Sequence, residues 1–119
     1  MNKKELRRIL GLHRRYINTD GEEGEAICLE NGEDISGFDL SKAVLEGALF
    51  YNINMQGVDL TGADLYGVVF EGCNLIDAKF SIEIRECCDL TGASVSKEQL
   101  YWLALHPRFK EFLPTLKIK

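Results

Sequence analysis

Four cysteines, two histidines and nineteen carboxylates are the side chains from which this 119-residue chain could build chemistry. Cys28, Cys73, Cys87 and Cys88 include no C-x-x-C pair, and His13 and His106 lie far from them in sequence. Zinc sites draw their ligands from short paired spacings, so no metal is expected. A bridge between adjacent Cys87 and Cys88 would be strained, and the thiols read as reduced. Neither histidine has a recognisable partner, so each reads as a packed or surface residue rather than a base or ligand. The chain carries no nucleophile motif, phosphate loop or cofactor fingerprint. The expectation is no catalytic residue, no cofactor and no enzymatic activity.

Charge is distributed unevenly along the chain. Residues 1–20 hold six Lys or Arg against Glu5 and Asp20, a balance of +4. Residues 21–95 hold fifteen Asp or Glu against Lys42, Lys79 and Arg85, a balance of −12, and residues 96–119 return to +3. Such segregation bears on partners and association rather than on fold. The length is that of one domain, 1–119. No apolar run is long enough for a membrane span or a signal peptide, so a cytoplasmic location without membrane contact is expected.

The elements that must carry these groups follow from a period of five. Every fifth residue from Ile35 reads Ile35, Leu40, Leu45, Phe50, Met55, Leu60, Leu65, Phe70, Leu75, Phe80, Arg85, Leu90, Val95. Arg85 alone is not apolar. Two residues earlier runs a companion series rich in Ala and Cys, such as Ala48, Ala63, Cys73 and Ala93. Asp or Asn often stands between the two, and Gly often follows the large residue by two. On an α-helix, steps of five scatter round the wheel. On a flat strand they alternate between faces. A backbone that turns one corner per five residues instead presents every unit to the interior in the same way. Asp, Asn and Gly suit that corner, through local hydrogen bonds and left-handed conformations.

If four corners close a square, one coil takes twenty residues. The large residues then stack in columns: Leu40, Leu60, Phe80; Leu45, Leu65; Phe50, Phe70, Leu90; and Ile35, Met55, Leu75, Val95. Adjacent coils would lie about 4.8 Å apart, the spacing of hydrogen-bonded strands.

"GADLYG" around Leu65, "GVDLTG" around Leu60 and "GCNLID" around Leu75 resemble the pentapeptide-repeat family, whose unit is Ala, Asp or Asn, Leu and two variable residues. The resemblance spans residues 33–95. It implies a mainly β protein: a short right-handed quadrilateral β-helix of about three coils, capped by an N-terminal α-helix and C-terminal helices. It also implies a mostly non-enzymatic role. The segment "SIEIREC", Ser81 to Cys87, departs from the pattern by placing Glu83 and Arg85 in phase. Burying such charges is costly. Two readings stand: a bulge that turns Ile82 and Ile84 inward, or a recognition loop.

An open-ended solenoid needs caps. Residues 1–20 supply one: Leu6, Ile9, Leu10, His13, Tyr16 and Ile17 share a helical face, and Asn2 with Glu5 resembles a capping box. A short edge strand is expected over residues 26–29. Residues 96–119 form the other cap, opening on a second capping box at Ser96 and Gln99. A helix over 97–105 would bury Leu100, Leu103 and Ala104. His106 would form a turn, a short second helix would cover 107–113, and an extended tail would follow. Leu100, Tyr101, Trp102, Phe109 and Phe112 offer more aromatic surface than a small cap requires. They serve either capping alone or capping plus a homodimer contact, which the resemblance also suggests.

The functional expectation is therefore a self-associating interaction or scaffold module with an unidentified protein partner. Nucleic acid is disfavoured, because the acidic body repels phosphate and no base-reading residues are interleaved with the basic ones. The alternative, drawn from the resemblance, is an acidic DNA mimic that binds or protects a type II topoisomerase (gyrase).

Overall fold

A computed structural model describes residues 1–81, 84, 88–105 and 107–119. In chain order these form α1 (Lys3–Asn18), β1 (Cys28–Leu29), β2 (Leu49–Tyr51), β3 (Val69–Glu71), β4 (Ser94–Val95), α2 (Lys97–Ala104), 3-10 turns at Pro107–Glu111 and Leu113–Thr115, and β5 (Lys117–Ile118). The fold is of the β-helix type.

Its repeat unit is visible in the backbone hydrogen bonds. Within each unit the small residue donates back to the large one, as in Ala63 N–H to Leu60 C=O and Val68 N–H to Leu65 C=O, both 3.1 Å. From Ile35 to Leu75, and again at Leu90, the residue after next from the large side chain is left-handed, as in Gly57 at φ 71°, Gly62 at 73° and Gly67 at 69°. A tight turn of type II requires this at its third residue, which is why Gly recurs there. Lys42, Asn52 and Asp77 hold the same corner at φ between 57° and 61°.

Between units the pairing is parallel at a register of twenty. Asp34 bridges Asn54, Asn54 bridges Asn74 and Asn74 bridges Ser94, while Asp39 bridges Asp59 and Asp59 bridges Lys79. Strand β2 pairs with β3 through Leu49↔Val69 and Phe50↔Phe70, whereas β1 pairs with β2 one residue longer, Leu29↔Phe50. Where a unit carries Asp or Asn before its large residue, that side chain pins the corner that follows. Asp59 Oδ1 accepts from Thr61 N–H at 2.9 Å, and Asn74 Oδ1 accepts from Ile76 N–H at 3.1 Å.

This backbone carries the period-of-five series inward. Ile35, Leu40, Leu45, Phe50, Met55, Leu60, Leu65, Phe70, Leu75, Leu90 and Val95 are all buried, with Phe50 and Phe70 stacked at 5.6 Å and nearly parallel. Phe80 departs from the series, being only partly buried. It ends its column: α2, rather than another coil, lies over it, and Trp102 covers its ring at 5.5 Å. The irregular segment 81–87 lies outside the described residues except Ser81 and Ile84, and Ile84 is buried.

The small residues of the companion series fill the spaces between columns. Cys73 and Cys88 donate their thiols to Phe50 C=O and Leu65 C=O at 3.3 and 3.2 Å. Burial pushes the Cys73 thiol up to about 11. Since the thiolate is the nucleophile, Cys73 is inert while the chain is folded, whereas Cys28 is exposed. Iodoacetamide at pH 8 followed by peptide mapping is expected to label Cys28 in the folded protein and Cys73 only after denaturation. Equal labelling of the two would contradict a closed core.

Helix α1 caps the first coil. Asn2 Oδ1 accepts from Glu5 N–H at 2.8 Å, but the box is not reciprocal: Glu5 turns instead to Arg8, at 2.6 Å. Leu6 and His13 are buried, Ile9 and Leu10 pack against the core from partly buried positions, and Tyr16 stays 37% exposed at the rim. Gly11 sits in mid-helix, where an added Cβ would meet nothing within 4 Å. Gly11→Ala is therefore expected to raise stability by about 0.5–1 kcal/mol, read as a higher melting temperature by circular dichroism.

Candidate functional site

The C-terminal cap is assembled from a few polar anchors. Ser96 and Gln99 form the full capping box of α2, with Gln99 N–H to Ser96 Oγ at 3.2 Å and Ser96 N–H to Gln99 Oε1 at 2.8 Å. The same Gln99 side chain donates through Nε2 to Leu75 C=O at 2.7 Å and Ala78 C=O at 3.2 Å. One residue thus starts the helix and ties it to the coil beneath. Thr115 supplies the second tie, accepting from Gly92 N–H at 3.0 Å and donating to Phe112 C=O at 2.7 Å. Beyond it β5 pairs in parallel with β4, Ser94↔Lys117 and Val95↔Ile118, so the tail adds a strand to the end of the stack.

These ties direct the aromatic residues inward. Phe109 is fully buried and Phe112 is 8% exposed, their rings tilted against each other at 5.8 Å. Neither is surface. The open end of the coil needs apolar cover, and the 3-10 turns lower both rings onto it. Leu100 and Trp102 are partly buried against the same core, while Ala104, expected inside, stands in solvent. Of the five residues singled out in the sequence, Tyr101 alone is fully in solvent, at 78% exposure. Leu105, one helical turn on, is 76% exposed, and Ile118 on β5 is 47% exposed. Sequence reasoning missed Leu105 because the apolar face was assigned without knowing which side of α2 meets the coil. Beside this surface a shallow hollow is lined by Thr61, Lys79, Phe80, Gln99 and Trp102.

The coil walls carry the acidic character. Asp34, Asp39 and Asp59 have their carboxyl groups held below the usual range, chiefly by hydrogen bonds from Ser36, Ser41 and Thr61 respectively. They are fixed ionised acceptors, not acids poised to give up a proton. Among the described residues no three His, Cys, Asp or Glu side chains gather as a metal site would need, and no helix is long and apolar enough to cross a membrane. His106 and Cys87 lie outside the described residues.

Residues 34–64 and 53–81 match the family model for pentapeptide repeats, in eight copies. The repeat region of this chain, residues 34–81, belongs to the pentapeptide-repeat family. That family is generally non-enzymatic. Two solved structures are similar to this pentapeptide-repeat chain. A pentapeptide repeat protein from Nostoc Pcc 7120 is 21% identical, with 94% of this chain and 96% of that one covered and a TM-score of 0.34. Another, from the Arabidopsis thaliana thylakoid lumen, is 23% identical, with 64% and 74% covered and a TM-score of 0.24. No curated protein sequence matches this pentapeptide-repeat chain.

Proposed function

We propose that this pentapeptide-repeat protein is a non-enzymatic interaction module that self-associates through its C-terminal cap. The coil beneath the cap is taken as a right-handed, four-sided β-helix of about three turns, the hand that parallel crossovers prefer. The observation that carries the proposal is the pair Tyr101 and Leu105, side by side in solvent at one end of a rigid stack. An exposed aromatic–aliphatic pair is the kind of surface that a second copy covers. Three free cysteines among the described residues fit a cytoplasmic setting, where thiols stay reduced.

Light scattering across a concentration series tests this. A dimer is expected at high concentration, and Tyr101→Asp with Leu105→Asp should leave a folded monomer. A wild-type protein that stays monomeric throughout would overturn the proposal.

A second reading has one specific support. Asp39 sits directly under Asp59 in a bridged column, both held ionised on a rigid acidic wall. Such a wall could stand in for a phosphate backbone toward a type II topoisomerase. Lys79 ends the column after two acids, which limits the mimicry. A gyrase supercoiling assay unaffected by excess protein would remove this reading.

A further inference from the structure

At the other end of the molecule, α1 leaves a groove between itself and the coil. Lys3, Arg7, Leu10 and Arg14 follow the i, i+4, i+7, i+11 spacing that places residues on one helical stripe. Two adjoining hollows run along this stripe and share Arg7 and Leu10. Across from the helix the groove is bounded by Phe38 and Ala43, both partly buried, and by Lys42. From Lys3 to Arg14 the helix rises about 16 Å, the length of roughly five extended residues.

The cations along this groove form no ion pair among the described residues. Among the described residues, Arg8 is paired with Glu5 and Arg15 with Glu23, both away from the stripe, while no carboxylate lies within 4.0 Å of Lys3, Arg7, Arg14 or Lys42. One carboxylate lines the groove, that of Asp39, whose Oδ1 accepts from the Ser41 amide and hydroxyl. Gly11 lines the hollow without a side chain, keeping it open at the cost of a helix-weakening residue.

We propose that this groove binds an extended acidic segment of a partner protein, about five residues long, with carboxylates toward the cations and an apolar side chain over Leu10. A nucleic acid is a poorer occupant. The groove offers no fully exposed aromatic ring for base stacking, and its lining at Leu10, Phe38 and Ala43 is apolar, which suits a peptide side chain better than a sugar-phosphate backbone. The site is separate from the C-terminal contact, and neither depends on the other.

Fluorescence anisotropy with a fluorescein-labelled Glu-Leu-Glu-Leu-Glu peptide and the full chain tests the proposal. Saturable binding is expected at low salt, weakening toward about 0.5 M salt as the charges are screened. Arg7→Glu with Arg14→Glu should weaken it about tenfold or more. Gly11→Glu should do the same while keeping the helix, since Glu is a better helix former than Gly, and circular dichroism checks this. The Tyr101→Asp and Leu105→Asp variant should bind as wild type. Equal binding of a Gln-Leu-Gln-Leu-Gln peptide, unchanged binding by the folded Gly11→Glu variant, or tighter binding of a ten-nucleotide single strand would each overturn the proposal. So would salt-sensitive self-association abolished by Gly11→Glu, which would make a second copy the occupant.

Discussion

Leu65→Asp is expected to leave the chain unfolded at 25 °C, while Tyr66→Asp, one residue on, should melt within a few degrees of wild type. The two positions share a repeat unit and differ in direction. Leu65 is fully buried, and Tyr66 is 67% exposed. Removing a buried leucine forfeits about 2–3 kcal/mol of burial. Placing a carboxylate there adds several kcal/mol of desolvation, and among the described residues no buried Lys or Arg is present to offset it. The total approaches the whole stability of a small domain, about 5–15 kcal/mol. A surface substitution such as Tyr66→Asp typically moves stability by about 0.5 kcal/mol or less. Far-UV circular dichroism and size-exclusion chromatography on both variants give the answer. Equal behaviour would mean that the inward register is misassigned.

That contrast rests on the part of the fold most legible in the sequence. A five-residue period has one economical backbone, so the identity of each large residue fixes its direction, from Ile35 to Leu75 and again at Leu90 and Val95. Legibility faded where two elements meet. Phe80 has the right spacing, but its exposure depends on what lies above it, and that is a helix rather than a coil. Phe109 and Phe112 read as surplus aromatic surface because nothing in their spacing says how far the 3-10 turns fold back. Gln99 was legible as half of a capping box, yet its tie to Leu75 and Ala78 joins residues more than twenty positions apart. Lys42 shows the converse. Its residue type hides a corner that its place in the period reveals.

The N-terminal joint yields the second large effect, and His13 is its centre. In the sequence His13 was one member of an apolar helical stripe with no partner in view. In the structure it is 1% exposed and bridges three segments. Ile27 N–H donates to Nδ1 at 2.9 Å, so Nδ1 holds the lone pair and the ring proton sits on Nε2, which donates to Glu46 C=O at 2.8 Å. The helix, the link before β1 and a coil corner are thereby fastened by one neutral ring. His13→Leu keeps the apolar bulk but strands a donor and an acceptor, each costing about 1–3 kcal/mol when buried without a partner. A loss of about 2–5 kcal/mol is expected, measured by urea denaturation, with amide exchange quickening first in α1 and at Ile27. Gly24→Ala attacks the same joint from the other side. Gly24 has φ 76°, and an added Cβ would meet Leu12 O and would lie 2.8 Å from Tyr16 N, so the link must lift off the helix. Backbone, not a flexible side chain, blocks the way. If the joint is a single unit, combining the two substitutions should cost less than the sum of the separate losses, because the first has already released what the second would strain. Full additivity would mean that His13 and Gly24 hold the cap independently.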